Sequence, residues 1–141
     1  MVRATALACI ASLLCAAPAL AAEQFDLVCA GQVRKDVPGR WAPYTKTYRI
    51  DLAAGRWCLG NCSVVSPIFA VTASKIVLQE PADSSKSTDG SALTHDIDRT
   101  SGAVTNYSYR PPLFAGGSVW WWEERGVCEA RPFSGMPAAK F

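Results

Sequence analysis

Acid–base chemistry in this sequence would have to involve His95, because it is the only histidine. A hydrolase needs a base beside a nucleophile, and the neighbouring Asp96 and Asp98 could also act as a glycosidase-like pair or contribute to a calcium site. In an extended strand the two carboxylates share one face and His95 lies on the other, so local geometry does not orient the imidazole. We therefore predict no catalytic residue, and a hydrolase of the cell envelope that uses Asp96, Asp98 and His95 is kept as an alternative.

Six cysteines are present, of which Cys9 and Cys15 lie in the first 22 residues. The other four could bind a metal or form disulfides: Cys29, Cys58, Cys62 and Cys128. Zinc sites usually combine several cysteines and histidines, and only one histidine is available. Cys58 and Cys62 flank a Gly-Asn turn that can bring the chain back on itself within disulfide reach. In an oxidising compartment we expect two disulfides, with no bound metal and no cofactor.

Three consecutive tryptophans, Trp120, Trp121 and Trp122, are the strongest indication of a binding surface. In a strand, Trp121 must lie on one face and its neighbours on the other. Exposed indoles suit a sugar ring or a partner protein. The alternative is that both faces are covered, one by the core and one by the loop at 110–117, with Arg or Lys stems covering the rest. This alternative is favoured, because large apolar patches are uncommon on soluble monomers. The predicted binding residues, which include two from the segment 32–44, are Trp120, Trp121, Trp122, Trp41 and Arg40.

The first 22 residues have the pattern of a secretory signal peptide. Arg3 provides a positive charge, residues 7–14 form a short apolar stretch, and Ala19-Leu20-Ala21 resembles a cleavage site. We expect cleavage near Ala21 or Ala22, a periplasmic or secreted protein, and a single domain over 23–141. No later segment approaches the roughly 20 apolar residues of a transmembrane helix.

Charge is nearly balanced, with 14 basic and 12 acidic residues in the whole sequence. This balance argues against nucleic acid or an anionic membrane as the main partner. We expect a monomer that binds an envelope protein or a glycan.

Short alternating segments separated by turn residues predict an all-β fold. The predicted strands are 24–30, ending at Gly31, then 45–52 and 56–58 around a turn near Gly55, 64–72, 76–80, 93–99, 103–110, 119–124, and 127–130 after a turn at Arg125-Gly126. Polar loops are predicted at 32–44 and 81–92, and an irregular tail from about 131.

No segment has sustained helical periodicity, so we predict a single antiparallel meander of about eight strands, closed or partly open as a barrel. Its first and last strands each carry one cysteine and would be its edges. A Cys29–Cys128 bridge would tie them, with Cys58–Cys62 as a local bridge, and this pairing is preferred to the two crossed alternatives.

These segments resemble a group of short exported proteins from alphaproteobacteria. The resemblance covers most of the chain after the signal peptide and is carried by the motifs FDLVCAG at 25–31, YRIDL at 48–52, RWC at 56–58 with the cysteine at 62, IDRTSG at 97–102 and GVC at 126–128. The group carries no known functional residues, so the resemblance implies no catalytic residue.

A more distant similarity is to periplasmic lysozyme inhibitors of the membrane-bound C-type class, in size, compartment and the cysteine near each end. The chain lacks their Ser-Gly-x-x-Tyr-type loop. Lysozyme inhibition is therefore an alternative that rests on analogy of fold alone.

Overall fold

The structure is a computed structural model that describes residues 23–36 and 39–137, and the predicted signal peptide lies outside them. The described residues form nine strands: β1 (Gln24–Lys35), β2 (Ala42–Asp51), β3 (Arg56–Leu59), β4 (Val65–Pro67), β5 (Ala70–Val71), β6 (Lys75–Val77), β7 (Ala92–Asp98), β8 (Ala103–Arg110) and β9 (Trp120–Arg131). They contain no helix that could cross a membrane.

The strands form one antiparallel sheet in the order β4-β3-β2-β1-β9-β8-β7-β6-β5, curved into a half-barrel. The predicted all-β meander is confirmed. The edge strands β4 and β5 follow one another in the chain, joined by Ile68 and Phe69. Ile68 N–H donates to the carbonyl of Gly55 beside β3 (2.8 Å), and Phe69 N–H donates to that of Val77 in β6 (3.0 Å). The chain thus passes directly from one edge of the sheet to the other.

Strand β2 shows how the sequence specifies the core. Tyr48 and Ile50 alternate with Arg49 and point to the inner face, where both are fully buried. Opposite them on β1, Leu27 pairs in register with Tyr48. The inner face is apolar at this end, where the buried residues are Leu27, Cys29, Ile50, Ile76, Ile97, Val104 and Cys128.

The predicted break at Gly31 and the predicted turn at Arg125-Gly126 are both wrong, because β1 and β9 each run through as 12-residue strands. Gly31 and Gly126 lie opposite one another in the β1–β9 register. A Cβ on Gly31 would lie 2.1 Å from the carbonyl oxygen of Arg125, and one on Gly126 would lie 2.6 Å from that of Ala30. These glycines therefore allow two strands to approach closely and do not end them.

Two other boundaries differ from the prediction. The loop predicted at 32–44 is shorter in the structure, because β1 continues to Lys35 and β2 begins at Ala42. The predicted strand 64–72 is divided into β4 and β5, because Pro67 has no N–H to donate and the chain then crosses to the opposite edge. In the segment 81–92, strand pairing is limited to Ala92, where β7 begins, and to an isolated bridge between Ala82 and Leu93 of β7.

Both predicted disulfides, Cys29–Cys128 and Cys58–Cys62, are present. Cys29 and Cys128 are register partners in β1 and β9, but these strands lie at the centre of the sheet. The expectation that they are its edges is wrong. The long-range bridge therefore joins two strands that are also paired by backbone hydrogen bonds.

Candidate functional site

An open cleft of about 1030 Å³ lies at the polar end of the half-barrel. Its lining comes from residues of β7, β8 and β9, from the segment that follows β6, and from the loops 81–91 and 111–119. The polar and aromatic side chains of the lining include Gln79, Asn106, Ser108, Arg110, Trp120 and Trp122. We refer to this site as the cleft.

Alternation along β9 separates the three tryptophans as predicted from their consecutive positions. Trp120 and Trp122 line the cleft, and the side chain of Trp120 is 48% exposed. Trp121 lies on the outer face, where the guanidinium of Arg34 is 4.3 Å from its ring centroid and 4.5 Å from that of Trp41. Arg40 is exposed. The five predicted binding residues thus do not form one site.

The outer aromatic group is held by an ion pair. Glu123 is buried and accepts two hydrogen bonds from Arg34, at 3.0 and 2.6 Å, and it also pairs with Arg125. Arg34 is therefore fixed between Trp41 and Trp121, and its stem and guanidinium cover both rings. This arrangement matches the alternative in which cationic side chains cover a tryptophan, and it leaves Trp120 as the more accessible indole.

Beneath the cleft, Glu124 is almost completely buried and is the centre of a polar cluster. Lys46 of β2 forms an ion pair with one carboxylate oxygen, and the amide nitrogen of Asn106 donates to the other at 3.0 Å. A buried carboxylate is costly unless it is paired and hydrogen-bonded, and both conditions hold here. The ion pair and this hydrogen bond fix the side chain of Asn106 in the wall of the cleft.

His95 lies in the same layer and is only 3% exposed. Its Nδ1 is 2.8 Å from Oε1 of Gln79, and its Nε2 is 3.2 Å from the hydroxyl of Tyr48. An amide oxygen only accepts, so Nδ1 carries the proton and Nε2 accepts from the tyrosine. Burial, and secondarily the charge of Lys46, lower the pKa of His95 to about 4. The imidazole is therefore neutral at pH 7.

The three residues of the hydrolase alternative are not brought together. His95 is on the inner face, whereas Asp96 is on the outer face and pairs with Lys75 at 3.2 Å. Asp98 accepts hydrogen bonds from the backbone N–H and the hydroxyl of Ser101 and from the backbone N–H of Thr100, and these lower its pKa. Asp98 therefore stabilises the turn between β7 and β8. Among the described residues, no group of three or more His, Cys, Asp or Glu side chains is arranged to hold a metal ion.

Sequence reasoning missed Gln79, Asn106, Lys46 and Glu124. A signal existed for Glu124, because the alternation that places Trp120 and Trp122 on one face also places Glu124 there, in line with Cys128. Nothing local marks Gln79 or Asn106, since each acquires its role from a partner on another strand.

The chain matches no protein-family model, and no curated protein or solved structure is significantly similar to it. Inference about its function therefore starts from the cleft.

Proposed function

We propose that this chain is an exported, non-catalytic β-domain that binds a component of the envelope or the extracellular medium in the cleft. The observation that carries the proposal is the position of Trp120. Its indole is about half exposed in the wall of a cleft whose volume is near the upper end of the range for ligand pockets. An exposed indole offers a large apolar area that loses little side-chain entropy when it is covered.

The export part of the proposal is supported by the signal-peptide pattern at 1–22 and by the two disulfides. Disulfides persist in oxidising compartments and are rare in the cytosol. A periplasmic or secreted location, after cleavage near Ala21 or Ala22, follows from the same reasoning. N-terminal sequencing of the mature protein, recovered from periplasmic and medium fractions, tests this part.

Acid–base catalysis is disfavoured by the surroundings of His95. A general base near pH 7 must be accessible to the proton that it removes, and this imidazole is buried with both nitrogens hydrogen-bonded inside the protein. Incubation with a panel of peptidoglycan and glycan substrates tests the hydrolase alternative, with Asp98→Asn as the variant. Addition of the purified protein to a lysozyme assay tests the inhibitor alternative.

Binding is tested by co-sedimentation of the purified protein with a washed cell-envelope preparation from the source organism. The wild type should sediment with the envelope, and Trp120→Ala should stay in the supernatant. Trp41→Ala is the matched control, because Trp41 is similarly exposed at 37% but lies on the outer face. It should sediment like the wild type.

Two outcomes contradict the proposal. One is a wild-type protein that sediments with no envelope fraction and is not retained by any component of the spent medium. The other is a Trp120→Ala variant that folds normally and binds as well as the wild type.

A further inference from the structure

Gln79 presents a fixed hydrogen-bond donor at the cleft. Its Oε1 is occupied by the proton on Nδ1 of His95, at 2.8 Å. The other side of that imidazole is held by the buried hydroxyl of Tyr48. Because the amide oxygen is engaged below, the amide NH₂ of Gln79 is the polar group left for the cleft.

Asn106 presents the opposite group. Its NH₂ donates to the buried carboxylate of Glu124 at 3.0 Å, and that carboxylate is held in place by Lys46. The amide oxygen is therefore the group that remains for a ligand, and it accepts. The hydroxyl of Ser108, the next inner residue on β8, adds a group that can donate or accept.

The formal charges of the side chains that line the cleft sum to zero. The lining contains one acidic side chain, Asp89, and one basic side chain, Arg110. The cation of Lys46 beneath the wall is paired with Glu124. The ammonium of Lys35 lies 4.5 Å from the ring centroid of Trp122 and adds one cation beside the lining. The lining itself has no excess charge of one sign, which favours an uncharged ligand.

Two further donors in this layer have no partner among the described residues. They are the indole N–H of Trp122 and the hydroxyl of Tyr44, both buried. The layer is therefore rich in donors and acceptors at the same end as the exposed indole.

We propose that the ligand of the cleft is an uncharged oligosaccharide, an inference that rests on the proposed function. A sugar ring offers an apolar face, which packs against Trp120, and hydroxyl groups that both donate and accept, which match Asn106 and Gln79. The size of the cleft accommodates more than one ring. Gln79 and Asn106 are the residues that determine specificity.

Isothermal titration with defined oligosaccharides tests the proposal. The probes are the neutral oligomers chitohexaose, cellohexaose, maltohexaose and xylohexaose, with polygalacturonate and hyaluronan as anionic comparators. The wild type should bind at least one neutral oligomer and should bind the anionic polymers at least about tenfold more weakly.

Gln79→Glu is the decisive variant. A carboxylate oxygen still accepts from Nδ1 of His95, so the fold is preserved, but the donor that faces the cleft is replaced by an acceptor. Affinity for the neutral oligomer should fall by about tenfold or more. Gln32→Glu is the matched control, since it adds the same charge at an exposed position of β1 and should leave affinity unchanged. Thermal unfolding of each variant establishes that the variant is folded.

The inference is overturned if no neutral oligomer binds, if the anionic polymers bind as tightly, or if folded Gln79→Glu binds like the wild type. These results are distinguishable from failure of the proposed function. If the protein co-sediments with the envelope in a Trp120-dependent manner but binds no saccharide, the proposed binding function is supported and only the ligand class is refuted. Loss of both signals refutes both.

Discussion

The buried histidine makes the stability of this protein dependent on pH in a window that can be calculated. His95 has a pKa of about 4 in the folded protein, compared with 6.5 for an unperturbed histidine. Between these values the unfolded chain binds a proton that the folded protein does not, so acidification favours unfolding. The contribution of His95 is complete above about pH 6.5, is lost progressively toward pH 4, and is constant below that.

The difference between the two pKa values corresponds to about 3 kcal/mol of unfolding free energy. Urea denaturation followed by tryptophan fluorescence, at a series of pH values from about 7 to about 4, measures it. His95→Gln is the control, because its amide does not titrate. Its unfolding free energy should change much less over the same range, and the difference between the two proteins removes the contribution of carboxylates such as Asp51.

The pKa of His95 can also be measured directly by NMR, because His95 is the only histidine in the sequence. Its imidazole proton resonance should stay at the neutral position well below pH 6 in the folded protein. A histidine that titrates near 6.5, or equal pH dependence of stability in the wild type and His95→Gln, would refute the reasoning. Either result would mean that the imidazole is hydrated and that its hydrogen bonds to Gln79 and Tyr48 are not maintained.

Four further variants test other parts of the fold, each by urea or thermal unfolding. Gly126→Val should lower the unfolding free energy by about 3 kcal/mol or prevent folding, because its Cβ would overlap the carbonyl of Ala30. Gly55→Asn should lower the unfolding free energy by about 1 kcal/mol or less, because Gly55 has a φ of 62° and open space around it. Replacing Cys29 and its disulfide partner by serine should cost about 4 to 5 kcal/mol, since the bridge closes a separation of 99 residues. Lys46→Met should cost about 3 kcal/mol, because a buried carboxylate loses its cation.

Specific results would contradict these predictions. A Gly126→Val protein as stable as the wild type would mean that β1 and β9 are farther apart than described. Equal losses from removing the long-range and the local disulfide would contradict the dependence on loop length. A neutral Lys46→Met substitution would mean that the carboxylate of Glu124 reaches water.

Strand alternation was sufficient to predict the all-β class, the opposite faces of Trp120 and Trp121, and the placement of His95 on the face opposite Asp96 and Asp98. The disulfide pairing was also predictable, since a meander whose first and last strands carry one cysteine each can bring these two together. These features depend on period-two patterns and chain order, which are local properties of the sequence.

The glycines could not be assigned from the sequence, because Gly31 and Gly126 resemble turn residues when each is considered alone. Their role appears only when β1 and β9 are placed in register. The cleft was unpredictable for the same reason. Asn106 and Gln79 are ordinary polar residues until Glu124 and His95, from other strands, fix their orientation.

The central position of β9 has a consequence for how the chain reaches its folded state. In the absence of this strand the remaining order divides into β4-β3-β2-β1 and β8-β7-β6-β5, two sheets of four strands that are not paired with each other as strands. The last of the nine described strands along the chain is thus the one that joins the two halves. Because its pairing with β1 also closes the longest loop in the sheet, assembly of the two halves should be the slow step of folding. A chain that stops before Trp120 would therefore lack the strand that pairs with both halves of the sheet.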